Sequence, residues 1–290
     1  MNMTPENIKT KIVAAIGLQR TKFVSDASQA VALGINAAQL NRLKKGDTQN
    51  VLSHGKWISI ARKLDVQLTD APAWVTAKTN VYHFVYTQLE TCQNNSLSGI
   101  LCDMADIGKT YAARQYVKEH QNAIYVDCAQ VKSRQKLIRH VAREFGVNHT
   151  CRYTDVYDDL VYYLRSVEKP IIVLDEAGDL DYSAFLELKA LWNATERFCA
   201  WYMMGAEGLE AKITRNKDLK KVGYTEIFSR FGNKYQQVVP HGKEAREDFI
   251  KHQAALVAKA NGATDMQKIY ARTEGSLRRV FTEVQKLKLV

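Results

Sequence analysis

The stretch Asp103-Met104-Ala105-Asp106-Ile107-Gly108-Lys109-Thr110 constrains this chain more than any other. It follows the apolar run Ser98-Gly99-Ile100-Leu101-Cys102 and precedes a helix-like segment from Tyr111 to Glu119. The order is strand, loop, helix, with Gly-Lys-Thr at the helix entrance. Backbone N–H groups at a helix start lack intrahelical partners and point into the preceding loop, where they favour anions. A lysine and a hydroxyl at that point suit a nucleoside triphosphate with Mg²⁺, so ATP and Mg²⁺ are the expected ligands. The loop departs from the pattern G-x-x-x-x-G-K-[ST]. Asp103 stands at the first glycine position, and Asp106 at a central position that is often glycine. Aspartate tolerates a left-handed backbone, so the loop can form. An Asp106 carboxylate aimed at the phosphates would lower ATP affinity, because like charges 4 Å apart cost ~1 kcal/mol in water and ~4 kcal/mol near a protein surface. Taken alone, Gly-Lys-Thr also starts ordinary helices.

A second motif narrows the choice. After Pro170 comes Ile171-Ile172-Val173-Leu174-Asp175-Glu176-Ala177. The apolar run reads as a fully buried parallel strand. Two carboxylates follow at its C-terminal end, where open α/β sheets bind ligands. Asp175 is expected to hold Mg²⁺ through water, and Glu176 to act as general base on the attacking water. An acidic cap after a core strand would explain this motif by itself. It does not explain both motifs in this order, 65 residues apart.

The chain of 290 residues allows a large core plus a small extra domain. No 18-residue apolar run is present, which argues against a membrane helix, and the N-terminus lacks a secretory apolar core. Cys92, Cys102, Cys128, Cys151 and Cys199 are scattered without a C-x-x-C pair, as expected of reduced thiols in a cytoplasmic protein. The net charge of +10 is uneven: +6 over residues 1–80, −4 over 81–209 and +8 over 210–290. Basic ends point to a polyanionic partner, most simply nucleic acid.

Residues 1–68 read as a helical DNA-binding domain. Thr4-Pro5 starts a helix carrying Ile8, Ile12 and Ile16, with Gly17 as its stop. A second helix spans Asp26 to Leu33, Gly34-Ile35 makes a tight turn, and Asn36 caps a third helix ending at Gly46. This is helix-turn-helix spacing, with Ala30 small enough for a close crossing and Ile35, Leu40 and Leu43 inward. The outer face of the third helix offers Gln39, Asn41, Arg42 and Lys45 to a major groove. A further helix from about His54 to Leu64 puts Trp57, Ile60, Ala61 and Leu64 in the core and Lys56, Arg62 and Lys63 outside. A small bundle for protein contact is the rival reading. Thr69-Asp70-Ala71-Pro72 opens a linker over 69–80.

Residues 81–240 alternate helix and strand, as a parallel sheet covered on both faces requires. A helix from Val81 to Leu89 leads into the first strand. Ala123 to Val126 forms the next strand, Lys132 to Phe145 and Asp155 to Val167 form helices, and Tyr182 to Arg197 follows the acidic strand. Ala200 to Gly205 is another strand. The basic run Lys212, Arg215, Lys217, Lys220, Lys221 reads most simply as a solvated loop. From Lys243 onward only helical periodicity remains, giving a small helical lid over 241–290.

This organisation resembles the AAA+ ATPases of DNA transposition over nearly the whole chain. The likeness is carried by Gly108-Lys109-Thr110, Ile172 to Ala177, Met204-Gly205, Ile227-Phe228-Ser229-Arg230 and Gly275-Ser276-Leu277-Arg278. It implies an α/β P-loop AAA+ core with an N-terminal helix-turn-helix domain and a C-terminal helical lid. It also implies nucleotide contacts from Asp106, Ile107, Gly108, Lys109, Thr110 and Tyr111, with Thr110 and Asp175 serving the metal. Arg230 matches an arginine finger offered to a neighbouring subunit, and Arg278 a second sensor reaching the nucleotide from the lid. The family commonly has a polar sensor after Met204-Gly205, where this chain has Ala206 and then Glu207. The likeness further implies self-assembly as a filament or ring on double-stranded DNA, with Lys132, Arg134, Arg152 and Tyr153 as candidates for loops facing the bore. The implied function is a slow, assembly-dependent ATPase that coats target DNA and recruits or activates a transposase. A helicase loader or replication initiator, and a nucleotide-sensing transcription regulator, are alternatives.

Overall fold

The computed structural model describes residues 5–66 and 74–287. The expected helix cap Thr4 and the linker residues Thr69 to Pro72 lie outside the described residues. The first helix, α1 (Pro5–Leu18), is followed by a single 3-10 turn at Arg20–Lys22. Then come α2 (Asp26–Leu33), α3 (Ala37–Lys44) and α4 (His54–Lys63). Ser25 starts α2 through a reciprocal side-chain cap with Ser28. Gly34 ends it at φ 73°, where its N–H returns to Ala30 and Val31; the left-handed turn suits glycine. Asn36 and Gln39 form the same reciprocal cap on α3. Ile12, Leu33, Leu40, Leu43, Trp57 and Ile60 close a separate apolar core.

Two helix ends differ from expectation. Gly17 does not stop α1, which runs on through it to Leu18. Helix α3 ends at Lys44, before Gly46.

The next helix is α5 (Asn80–Asn95), and it leads into β1 (Ser98–Cys102) and α6 (Lys109–Glu119). The chain continues through β2 (Ala123–Asp127), α7 (Arg134–Glu144), α8 (Tyr153–Ser166) and β3 (Ile171–Asp175). It then forms α9 (Tyr182–Ala194), β4 (Ala200–Gly205), α10 (Glu207–Asp218), α11 (Tyr224–Arg230) and β5 (Tyr235–Gln236). The sheet is wholly parallel, in the order β2-β3-β4-β1-β5. Side-chain alternation along each strand feeds two apolar layers. Ile100, Ile172, Leu174 and Met203 face one layer, and Leu101, Ile171, Val173 and Met204 the other. Register places Cys102 beside Gly205 and Asp127 beside Asp175, so the C-terminal ends of the strands form one rim.

The basic run from Lys212 to Lys221 is not a solvated loop. Most of it lies on α10, and Lys212, Lys217 and Lys221 lay their side chains on neighbouring groups, while Arg215 and Lys220 are exposed. Lys212 donates to the carbonyls of Gly178 and Leu180. Lys217 lies over Phe228 and Lys221 over Tyr182, at 3.6 and 4.1 Å from the ring centroids. The two-residue strand β5 was also missed by sequence reading, being too short for a periodic signal.

Three helices close the chain: α12 (Lys243–Ala260), α13 (Met266–Thr273) and α14 (Leu277–Leu287). They share a fourth apolar cluster, joined by Trp74 and Ala77. The segment before α5 is therefore strapped to the C-terminal helices. The Asn261 amide bonds both the N–H and C=O of Val75, and Trp74 packs on Phe281 at 4.8 Å.

The N-terminal helices lean on the sheet end where β2 begins, away from the rim. Lys22 donates to the Val117 carbonyl, and Lys118 pairs with Asp65. At Gly146 the backbone has φ 75°, and a Cβ there would lie 2.1 Å from the Ser28 carbonyl oxygen. Lys63, expected outside, instead donates back to the Ala32 carbonyl and is partly buried.

Candidate functional site

The loop after β1 and the loop after β3 open side by side at the rim because β4 alone separates these strands. Gly108, at φ 99°, precedes α6 without a side chain to cap it. The N–H groups of its first turn therefore face the loop, an arrangement that suits an anion. Lys109 is 7% exposed, and its ammonium donates to the carbonyls of Asp103 and Met104. Burial lowers its pKa, while Asp103, Asp175 and Glu176 act the other way. The Thr110 hydroxyl donates to Asp175 Oδ2 across 2.7 Å. Tyr125, on β2, donates to the same oxygen at 2.8 Å, and Asp175 Oδ1 accepts from the Glu176 N–H at 3.0 Å. Glu176 turns left-handed at φ 50°, which carries its side chain off the strand line into the cleft. Partial burial, and then the Asp175 charge, raise its pKa above the ordinary carboxylate range.

These groups line a cavity of 510 Å³ between the sheet rim and the C-terminal helices. Charged and polar groups line it, among them Lys109, Thr110, Glu176, Arg114 and Arg278. Apolar groups also line it: Trp74, Ala77, Val257, Leu277 and Phe281. A cavity that combines such polar groups with apolar walls suits a nucleotide, which has both kinds of surface. Thr110 and Asp175 supply adjacent hard oxygen donors, the chemistry Mg²⁺ prefers.

Of the expected nucleotide residues, Asp106, Gly108, Lys109, Thr110, Tyr111 and Arg278 line the cavity, with Glu176 opposite. Ile107 is buried in the core instead, at 6% exposure. Tyr111 holds the Trp74 strap through a 2.6 Å bond to Thr76. Ala206 also lines the cavity and brings no polar group.

The two loop aspartates do not behave as their charge suggested. Asp103 is buried at 5% exposure. Its Oδ2 accepts from the N–H groups of Val238 and Val239 at 2.6 and 3.0 Å, and its Oδ1 from Met104. It ties the chain after β5 to the end of β1. Asp106, at φ 64°, turns its carboxylate to α14, where it accepts from the Ser276 hydroxyl and from the Arg278 N–H at 3.2 Å. The Asp106 carboxylate thus contacts the last helix while it still lines the cavity.

Arg230 does not line this cavity. Its Nε donates to Asn193 Oδ1 at 2.6 Å, and its guanidinium lies 5.4 Å from the Trp192 ring centroid. The candidate DNA residues divide into two groups. Asn41 on α3 and Lys45 just past its end are exposed, whereas Gln39 is occupied by its cap and by the Val51 carbonyl. Arg42 pairs with Asp47 at 2.8 Å and reaches the Gln49 carbonyl. Gln39 is thus a capping residue rather than a free edge reader. On the rim side Lys132 pairs with Asp179 at 3.2 Å, and Arg134 stacks 5.3 Å from the Tyr153 ring centroid. Tyr153 itself donates to Glu187, while Arg152 is exposed. The starts of α7 and α8 are therefore brought together.

Sequence reading missed Tyr125 and the aromatic pair Trp74–Phe281. The apolar run Ala73-Trp74-Val75 just after Pro72 was the available signal for the pair. Among the described residues, no group of three or more His, Cys, Asp or Glu is arranged to hold a metal ion, and no helix is long and apolar enough to cross a membrane.

Residues 93–213 match the family model described as AAA domain. The chain is 26% identical over 176 residues to the Mu-like prophage FluMu DNA transposition protein B of Haemophilus influenzae, covering 58% of this chain and 60% of that protein. It is 21% identical over 238 residues to the ATP-dependent target DNA activator B of Escherichia phage Mu, covering 80% of this chain and 73% of that one. The solved structure of the Aeropyrum pernix Orc1 protein in complex with DNA superposes with a TM-score of 0.46 at 14% identity, over 75% of this chain and 66% of that one.

Proposed function

We propose that this chain, related to the transposition B proteins and carrying an AAA domain, is an ATP-dependent DNA-binding ATPase. It assembles on target DNA and recruits or activates a transposase, and ATP hydrolysis drives disassembly. The observation that carries the reading is the convergence of Lys109, Thr110, Asp175 and Glu176 in one cleft, with Arg278 at its edge.

In this reading the α6 N-terminus and Lys109 bind the phosphates, displacing Lys109 from two loop carbonyls. Bound Mg²⁺, held by Thr110 and through water by Asp175, would neutralise phosphate charge. Tyr125 keeps Asp175 oriented. Glu176, its pKa raised, accepts the proton of the attacking water. Arg278 approaches the phosphates from the lid, residues 241–290. Arg230, held outside its own subunit's cleft, serves a neighbour's, which makes turnover depend on assembly. Residues 81–240 form the ATPase core. Residues 1–68 act as a helix-turn-helix head with Asn41 and Lys45 toward DNA. Lys132, Arg134 and Arg152 track phosphates on the rim face.

Electron microscopy and gel shifts of the protein with duplex DNA test this. Assemblies should form with ATP and Mg²⁺, dissolve as ATP is consumed, and weaken steeply with salt. Binding to DNA that is indifferent to ATP would overturn the proposal.

A further inference from the structure

The P-loop and the last helix are joined by a carboxylate that the ATPase reading leaves without a task. Ser276 caps α14: its hydroxyl accepts from the Arg279 N–H at 3.2 Å. Asp106 lies against that same helix end. It accepts from the Ser276 hydroxyl and from the Arg278 N–H, while its own backbone carbonyl faces the Leu277 N–H at 3.4 Å. Leu277 is laid over Gly108, where a Cβ would come within 3.3 Å of its Cδ1. A carboxylate at a helix N-terminus satisfies orphan N–H groups and complements the helix dipole. The left-handed backbone at residue 106 aims the side chain this way. The Arg278 guanidinium, by contrast, is 88% exposed, with its Nε 3.9 Å from Asp106 Oδ1. Its backbone is pinned while its head remains free to reach into the cleft.

We propose that Asp106 is a positioning residue: by capping α14 it holds the lid on the P-loop and sets Arg278 over the phosphates. The claim about turnover rests on the ATPase reading above; the claim about the lid does not. Two substitutions suit residue 106, because glycine adopts positive φ freely and asparagine tolerates it. Asp106→Gly removes the acceptor, whereas Asp106→Asn keeps a neutral one.

Hydrogen exchange without nucleotide should show amides 277–280 opening about tenfold faster in Asp106→Gly, the scale of a lost helix cap. Exchange in α6 and β3 should be unchanged, and Asp106→Asn should restore most of the protection. In steady-state assays with ATP, Mg²⁺ and DNA, Asp106→Gly should lower kcat about tenfold with a smaller change in KM, and Asp106→Asn should recover it. Tighter ATP binding in Asp106→Gly with unchanged exchange at 277–280 would show a carboxylate that merely repels phosphate, and would overturn the proposal. Faster exchange with undiminished kcat would remove the positioning role. If wild-type protein hydrolyses no ATP, the ATPase reading fails, and the exchange result still decides the contact between Asp106 and α14.

Discussion

Thr110 and Asp175 are 65 positions apart in sequence, yet the threonine hydroxyl donates to the aspartate Oδ2 across 2.7 Å. The pairing follows from topology. Strands β1 and β3 flank β4, and both end at the same rim, so the loops that leave them share one mouth. The geometry supports two functional substitutions. Lys109→Ala is expected to abolish the ATP-induced rise in melting temperature. It should also destabilise the apo protein by about 1–3 kcal/mol, because two loop carbonyls lose their donor. Glu176→Gln is expected to keep ATP binding and slow turnover by about 10²–10⁴-fold. In wild type the acid limb of the rate profile should lie above the ordinary glutamate range, with activity rising as Glu176 loses its proton.

Asp103 gives a prediction about folding rather than catalysis. It satisfies the amides of Val238 and Val239 from a buried position. Asp103→Ala leaves both without an acceptor and should destabilise the protein by about 3 kcal/mol. Urea unfolding measures this, and unchanged stability would show that water replaces the carboxylate.

The seam between head and core titrates. Burial lowers the Lys22 and Lys63 ammonium groups from 10.5 to about 8. Between those values the unfolded chain binds more protons than the folded one, so their contribution to stability grows as pH rises from about 8 to 10.5. Below 8 both are charged in either state, and the contribution is flat at its lower level. Melting temperatures from pH 7 to 10 should show a steeper rise for wild type than for a Lys22→Met, Lys63→Met double variant.

Arg230 is tested by mixing. Arg230→Ala subunits should bind ATP normally and lose turnover by roughly 10³-fold or more. Adding Glu176→Gln subunits, which bind ATP and supply Arg230 but turn over little themselves, should restore activity in mixed assemblies. Mixtures as inactive as their parts would show that Arg230 does not act across a subunit boundary.

The sequence was most informative where local chemistry decides structure. The strand-loop-helix at Lys109, the buried strand ending in Asp175 and Glu176, and the helix from Asp26 to Leu33 could all be read from patterning and caps. It was least informative where a side chain's partner lies far along the chain. Asp106 meets residues 170 or more positions away, and Asp103 meets residues about 135 positions away. Their charge is visible in sequence, but its direction is not. Gln39 failed differently: its cap partner is three residues away, yet an outward helical position looks the same whether the amide serves a base edge or its own backbone. Lys212 misled because a lysine stem on an apolar face reads as surface charge.

At the junction of head and core, the chain leaves room for a hydrogen atom and nothing larger. Gly146 ends α7 in a conformation unfriendly to other residues, against the backbone of Ser28. One added carbon there should pry the head loose while the rim cleft, at the opposite end of the sheet, keeps every atom. An engineer therefore has a lever that separates the head from the cleft without touching either.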